Sequence, residues 1–141
     1  MRSIDAPWDM DTHYCIHPNG DEFDALLNGL KCKIFIRKDY SDFGLIECLA
    51  AYFIDGEINI EFKGSFIRFW FHKGTLHRKE APAVLIEHYA GISLYYRENG
   101  KNIESYHKDR RGCYAFKKTS FKNEKMINID ESEFNTHYDS I

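Results

Sequence analysis

Two short groups of chemically reactive side chains stand out in the sequence. In the first, His77 and Arg78 are adjacent and Glu104 lies further along the chain. An imidazole, a guanidinium and a carboxylate are groups that acid–base catalysis or phosphate binding would use. The alternative role of His77 and Arg78 is structural, because such side chains also hydrogen-bond turn carbonyls and pair with a following acid. A small hydrolase around His77 is therefore the third of three functional hypotheses.

The second group is His13, Cys15 and His17, which alternate with Tyr14 and Ile16 and could supply soft metal ligands. A tetrahedral zinc site takes four ligands, usually as two pairs, and no second compact pair follows. The sequence also lacks a Walker loop, a nucleophile elbow and an H-E-x-x-H motif. We therefore predict no metal, no cofactor and no catalytic residue, and the chain is not expected to be an enzyme.

The composition fits a single β-rich domain. Of the 141 residues, 43% are hydrophobic and 16% are aromatic, and only three are proline. Aromatic residues favour strands, and a chain of this length can bury a core. No apolar run approaches the roughly 20 residues that a membrane-spanning helix needs, and residues 1–11 lack the apolar segment of a signal peptide. Because the four cysteines are isolated, we expect reduced thiols and a cytoplasmic protein.

Glycine-centred turns indicate how the strands connect. Four such dipeptides lie between segments of alternating apolar and polar residues: Asp55-Gly56, Lys63-Gly64, Lys73-Gly74 and Asn99-Gly100. Dipeptides of this kind accept the positive φ that tight hairpin turns require. The sequence therefore predicts a twisted antiparallel meander of repeated hairpins over residues 32–129.

The other segments complete one domain of the α+β class, in which strands dominate. Residues 1–20 lack periodicity and are predicted to form an irregular arm. Helical spacing of apolar residues and acids in the first turn predict one short helix over residues 21–29. The apolar segment 45–54 fits either a strand or a helix, and we prefer a strand because Asp55-Gly56 follows it. The acidic tail, residues 130–141, is predicted to be mobile or bound to a partner.

Three turn segments share one pattern, in which two adjacent aromatic residues precede a glycine and then an aliphatic residue. They are residues 52–58, 70–76 and 95–103. The pattern describes a hairpin unit that stacks on its neighbours to bury its apolar face. It resembles MORN-like and YwqK-like hairpin repeats. The stretch from Lys73 to Val84 more specifically resembles the NGxLHRxDGPAV repeats of phage, giant-virus and some bacterial proteins, with matches at Gly74, Leu76, His77, Arg78, Pro82 and Ala83.

The resemblance covers about residues 52–107 and implies a structural or interaction module without catalytic residues. Lys79-Glu80-Ala81 replaces the usual run of acid and glycine, so the turn there departs from the pattern. Similarity to phage and viral repeats implies an accessory protein that binds a host protein complex and inhibits or modulates it, as anti-defence proteins do. A non-catalytic module that binds a host protein is therefore the leading hypothesis.

Strand alternation selects the residues that would bind this partner. In residues 66–72 and 92–97, one alternating set is apolar and the other is rich in Trp, Tyr and Arg, which dominate protein-binding hot spots. If both apolar sets face the core, the second sets share the opposite face, unless a helix or the arm covers it. With the His-Arg pair, this predicts a partner-binding surface of Arg68, Trp70, His72, His77, Arg78, Tyr95 and Arg97.

Charge is distributed unevenly around a net value of −3. Residues 1–30 carry six acids and one base, and residues 128–141 carry four acids and no base. Residues 108–125 instead carry seven bases and two acids, interleaved with aromatic residues. Such a stretch could grip phosphates and stack bases, although edge strands also carry lysine to prevent aggregation. The alternative function is therefore nucleic-acid binding through Lys108, Arg110, Arg111, Lys117 and Lys118.

Overall fold

The computed structural model describes residues 12–118 and 124–141, which form one sheet and two helices. The helices are α1 (Asp42–Phe53) and α2 (Glu131–Tyr138). The strands in chain order are β1 (Thr12–Cys15), β2 (Asp21–Leu27), β3 (Leu30–Ile36), β4 (Gly56–Phe62), β5 (Ser65–His72), β6 (Thr75–Leu76), β7 (Val84–His88), β8 (Gly91–Glu98), β9 (Lys101–Asp109), β10 (Gly112–Lys118) and β11 (Glu124–Ile129). The β-dominated α+β class is confirmed.

The described strands form a mixed sheet that is mostly antiparallel. Their order is β1-β3-β2-β4-β5-β7-β8-β9-β10-β11. The two-residue strand β6 is not in this series and pairs with β5. β1 runs parallel to β3, whereas the other pairs are antiparallel. Part of the predicted irregular arm is thus a strand, and residues 1–11 of that arm lie outside the described residues.

Three of the four predicted glycine turns join paired strands. Lys63-Gly64, Lys73-Gly74 and Asn99-Gly100 have φ values of 50° and 85°, 53° and 79°, and 50° and 80°. Positive φ at both central residues is the geometry that favours Asn-Gly and related dipeptides. The hairpin predicted at Asp55-Gly56 is wrong, because this dipeptide leads from α1 into β4.

The helix predicted over residues 21–29 is wrong, since this segment forms β2 and its turn. Asn28-Gly29 has φ values of 51° and 83° and closes a hairpin in which all seven β2 residues pair with β3. The left-handed glycine expected at a helix end is therefore the second residue of a hairpin turn. Strand pairing overrides the helical spacing, and it leaves Leu26 38% and Leu30 74% exposed.

The strand predicted over residues 45–54 is also wrong, because residues 45–53 belong to α1 and Ile54 is its C-cap. Ser41 caps the helix, and its Oγ accepts a hydrogen bond from the backbone N–H of Gly44 at 3.0 Å. A capping serine satisfies an amide that the first helical turn leaves unpaired. Buried Leu45, Ile46, Leu49 and Ala50 then form one apolar stripe. The aromatic pair of the 52–58 segment consequently ends a helix rather than a strand.

The acidic tail folds against the protein's own sheet. The Asp130 carboxylate caps α2 by accepting the backbone N–H of Glu133 at 2.8 Å. Phe134, one turn into the helix, is only 1% exposed. The tail predicted to be mobile or partner-bound is thus ordered as a helix from residue 131 to residue 138.

The two helices pack on opposite faces of the sheet. Phe69, Val84 and Tyr95 are cross-strand partners on the face that packs against α1, which we name the α1 face. Leu94, one residue before Tyr95, lies on the other face in a cluster with Phe134 of α2, so we name this the α2 face. α1 covers the half of the sheet formed by the first seven strands, and α2 covers the half formed by β8 to β11. Half of each face is therefore without a covering helix among the described residues.

Candidate binding surface

The strand register separates the residues predicted to form one partner-binding surface. Tyr95 is paired through Val84 with Phe69, so it lies on the α1 face. Trp70 follows Phe69 in the strand and therefore lies on the α2 face. The predicted common face of Trp70 and Tyr95 is wrong. The physical reason is that each half of the sheet buries a different face, so apolar residues of β5 and β8 point in opposite directions.

Tyr95 and Arg97 pack beside the first helix. The Tyr95 ring meets the Phe43 ring of α1 edge-on with centroids 4.8 Å apart. The Arg97 guanidinium carbon lies 5.2 Å from the centre of the same Phe43 ring. These two predicted residues thus contact α1, and they are separated by the sheet from Trp70.

Four other residues gather on the α2 face, and we name them the Trp70 cluster: Glu57, Arg68, Trp70 and Arg78. The guanidinium carbons of Arg68 and Arg78 lie 4.8 Å and 3.8 Å from the centre of the Trp70 ring. Arg68 Nε also donates a hydrogen bond to the Glu57 carboxylate. Strand pairing explains the assembly, because Glu57 is the cross-strand partner of Trp70.

The Trp70 cluster carries more positive than negative charge. Arg68 is paired with Glu57, but Arg78 has no carboxylate within ion-pair distance among residues 12–118 and 124–141. Its NH1 group donates only a long 3.4 Å hydrogen bond to the Pro82 carbonyl. Desolvation lowers the pKa of Arg78, and the charge of Arg68 lowers it further. A negative charge beside Arg78 would oppose both effects, because it favours the charged form of the guanidinium.

The two predicted histidines of this region hold turns together. His72 Nδ1 lies 2.6 Å from Asp55 Oδ1, and both side chains are exposed. His77 Nδ1 accepts the backbone N–H of Asn99 at 2.9 Å. This bond links the segment after β6 to the β8–β9 turn, which is the structural role weighed for His77. The Glu104 carboxylate of the hydrolase hypothesis accepts instead from the Tyr106 hydroxyl.

A cavity of about 920 Å³ adjoins the Trp70 cluster on the α2 face. Its exposed apolar residues are Leu26 and Phe66, which are 38% and 61% accessible. Tyr138 and Ile141, at the end of the chain, form part of its wall. Arg68 lines the cavity and also contacts Trp70, so the two features are continuous. Phe66 was not among the residues predicted from the sequence, although its alternation with Arg68 and Trp70 places this large apolar side chain in the outward-facing set.

The basic stretch proposed for nucleic-acid binding is partly neutralised by the acidic tail. Lys108 Nζ lies 2.6 Å from the Glu131 carboxylate, and Lys117 Nζ lies 3.3 Å from that of Glu133. The hydrogen bond from Lys108 lowers the pKa of Glu131. Two of the five predicted residues therefore hold α2 on the sheet. Arg110 and Arg111 occupy the exposed β9–β10 turn, and Lys118 ends β10.

Comparisons of the chain with models of protein families, with curated proteins and with solved structures returned no match. Within the described ranges, no three His, Cys, Asp or Glu side chains gather in a way that could hold a metal ion. Neither α1 nor α2 is long and apolar enough to cross a membrane. The function we propose accordingly rests on the geometry of the α2 face.

Proposed function

We propose that the chain is a non-catalytic protein-binding module. Its binding surface is the open half of the α2 face, formed by the Trp70 cluster and the adjoining cavity. The observation that carries the proposal is the Arg78 guanidinium, which lies 3.8 Å from the Trp70 ring without a carboxylate partner among the described residues. We propose a partner that presents an acidic side chain next to apolar ones.

The chemistry of the Trp70 cluster favours an acidic group on the partner. A carboxylate between Arg68 and Arg78 would form charge-assisted hydrogen bonds, which are roughly twice as strong as neutral ones. The cation–π contact with Trp70 holds the Arg78 guanidinium in place, and such contacts contribute about 0.5–2 kcal/mol. Tryptophan and arginine are also the residue types most enriched in binding hot spots. The cluster is therefore organised before the partner arrives.

The cavity supplies the apolar part of the surface. Leu26 and Phe66 are the described large apolar residues that are both exposed and part of its lining. Burial of apolar area contributes about 25 cal/mol per Å², so two such side chains add usefully to a charged anchor. The resemblance to phage and viral repeats suggests a host protein complex as the partner, with inhibition or modulation as the result of binding.

A capture experiment with matched variants tests this proposal. The tagged wild-type chain, Trp70→Leu, Arg78→Gln and Tyr89→Leu are each incubated with a lysate of the host cell, and bound proteins are quantified by mass spectrometry. Tyr89 is 97% exposed in the turn between β7 and β8 and does not line the cavity, so Tyr89→Leu controls for loss of a surface ring. We expect a protein retained by the wild type and by Tyr89→Leu to fall at least about tenfold with Trp70→Leu and Arg78→Gln. Equal retention by all four chains, or no retained protein, would overturn the proposal.

A further inference from the structure

A second surface lies on the opposite side of the sheet and consists of aromatic rings. His107, Tyr114 and Phe116 of β9 and β10 point to the α1 face, and we name them the aromatic platform. The His107 and Tyr114 rings are stacked at 5.0 Å with an 18° interplanar angle. Phe116 meets them edge-on at 5.6 Å and 5.8 Å. Cross-strand pairing thus gathers three rings on one sheet face.

The platform is outside both hydrophobic cores. α1 extends toward this region only as far as Tyr95, which its Phe43 contacts. α2 packs on the other face. Tyr114 and Phe116 are partly exposed, and Met126, the cross-strand partner of Phe116, is 56% exposed. Among the described residues, no helix therefore lies over these rings.

Hydrogen bonds fix the central ring of the platform. Ser93 Oγ lies 2.8 Å from His107 Nδ1, and Ser105 Oγ lies 2.9 Å from His107 Nε2. Ser93 is the cross-strand partner of His107, and Ser105 lies two residues before it on β9. The imidazole is therefore held from two sides. Burial lowers the pKa of His107, which favours the neutral ring. Tyr114 therefore stacks on a rigid and uncharged partner.

The structure separates the basic residues of β9 and β10 from those of the turn between them. Lys108 and Lys117 lie on the α2 face, where Glu131 and Glu133 neutralise them. Arg110 and Arg111 instead occupy the turn at the end of the two platform strands, are exposed, and form no ion pair with any described residue. This turn begins three residues after His107 and ends three residues before Tyr114, so its two positive charges lie at the end of the platform strands and could complement a phosphate there.

We infer that the aromatic platform binds single-stranded nucleic acid, with bases stacked on Tyr114 and Phe116 and phosphates held by Arg110 and Arg111. Aromatic side chains on sheet faces stack unpaired bases because every base has a π face. Two residues along a strand are about 6.8 Å apart, which allows separate bases to use Tyr114 and Phe116. The site is on the other face from the Trp70 cluster, so the inference does not depend on the proposed protein partner.

Fluorescence anisotropy with labelled single-stranded RNA and DNA oligonucleotides tests this inference directly. We expect binding at low salt, with log K falling by about 0.7 per contacted phosphate for each unit of log salt concentration. Tyr114→Leu and Phe116→Leu keep apolar volume but remove a ring, and each should weaken binding about 5- to 150-fold. Tyr52→Leu, on the outer side of α1 where Tyr52 is 50% exposed, is the matched control and should bind as the wild type does.

Further variants separate stacking from charge and from misfolding. Phe116→Tyr keeps a ring and should retain binding, whereas Arg110→Gln with Arg111→Gln should reduce the salt slope. Lys108→Gln, on the α2 face, should leave the slope unchanged. Absence of binding to both RNA and DNA at low salt would overturn the inference. The inference would also be overturned if binding survived both leucine substitutions. It would be overturned as well if Lys108→Gln reduced the salt slope as much as the Arg110→Gln and Arg111→Gln pair does.

Discussion

The two halves of the sheet are covered by helices of different character. In the half that α1 covers, seventeen described residues form a continuous buried cluster, to which the helix contributes Leu45, Ile46, Leu49 and Ala50. In the half that α2 covers, the corresponding cluster has four buried residues, and Phe134 is the one from the helix. α1 is therefore part of the main core, whereas α2 is attached to a small one.

Several polar contacts join α2 to the sheet. Two lysine–glutamate ion pairs join it to β9 and β10, and His137 Nδ1 lies 2.6 Å from the Tyr96 hydroxyl. The Tyr138 hydroxyl donates to the Glu87 carboxylate at 3.0 Å. The acidic tail and the basic stretch of the sequence are thus two sides of one intramolecular contact. Because α1 and α2 cover opposite faces of different halves, the two open surfaces also lie on opposite faces.

The largest expected effect is on stability and comes from a substitution in the core under α1. Phe69 is 0% exposed, and Phe69→Ala should lower the free energy of unfolding by about 3–5 kcal/mol, because it leaves a cavity under α1. Phe66, on the same strand but 61% exposed on the other face, is the matched control. Phe66→Ala should change stability by about 0.5 kcal/mol or less. Urea denaturation followed by circular dichroism measures both, and equal losses would contradict the assignment of faces.

A smaller and local effect is expected for the α2 core. Phe134→Ala removes the one buried side chain of α2, so the helix should detach while the α1 half stays folded. Amide hydrogen exchange should then become fast at residues 131–138 and remain slow at residues 42–53. Thr136→Ala is the control, since Thr136 is exposed on the same helix. A parallel increase of exchange in both helices would show that the halves unfold together.

Acid should weaken the attachment of α2. Burial lowers the pKa of His137 below its ordinary value, despite the opposing charges of Glu104 and Glu133. The unfolded chain therefore takes up a proton at this residue before the folded one does. The stability that the neutral His137 side chain contributes is complete above about pH 6.5. It declines as pH falls through the lowered pKa of His137 in the folded state. NMR titration of the His137 imidazole checks this, and a His137 pKa at or above 6.5 would contradict it.

The smallest expected effect comes from the ion pairs of α2. Raising ionic strength should slightly speed hydrogen exchange at residues 131–138, because solvent-exposed pairs are screened by salt. The α1 helix, whose buried contacts are apolar, should show no such response. Glu131→Gln combined with Glu133→Gln should abolish the salt dependence in α2. A salt response that survives both substitutions would mean that other charges hold the helix.

The sequence predicted local features better than it predicted long-range arrangement. Alternation in β4 and β5 and three glycine turns were predicted, because they depend on side-chain periodicity and positive φ alone. The Asn28-Gly29 hairpin was mistaken for a helix end, since both need a left-handed glycine. The faces of Trp70 and Tyr95 were confused because alternation within a strand does not specify which face its neighbour buries. The docking of residues 131–138 depends on charge pairs that are distant in sequence.

One matched pair of variants tests most directly whether the open α2 face is the protein-binding surface. Arg78 and Arg97 were both predicted to bind the partner, and both guanidinium groups lie over an aromatic ring, but on opposite faces of the sheet. The dissociation constant of the captured partner should be measured for the wild type, Arg78→Gln and Arg97→Gln. We expect at least about tenfold weaker binding for Arg78→Gln and wild-type affinity for Arg97→Gln. Loss of affinity with Arg97→Gln alone, or equal effects of the two, would contradict this expectation.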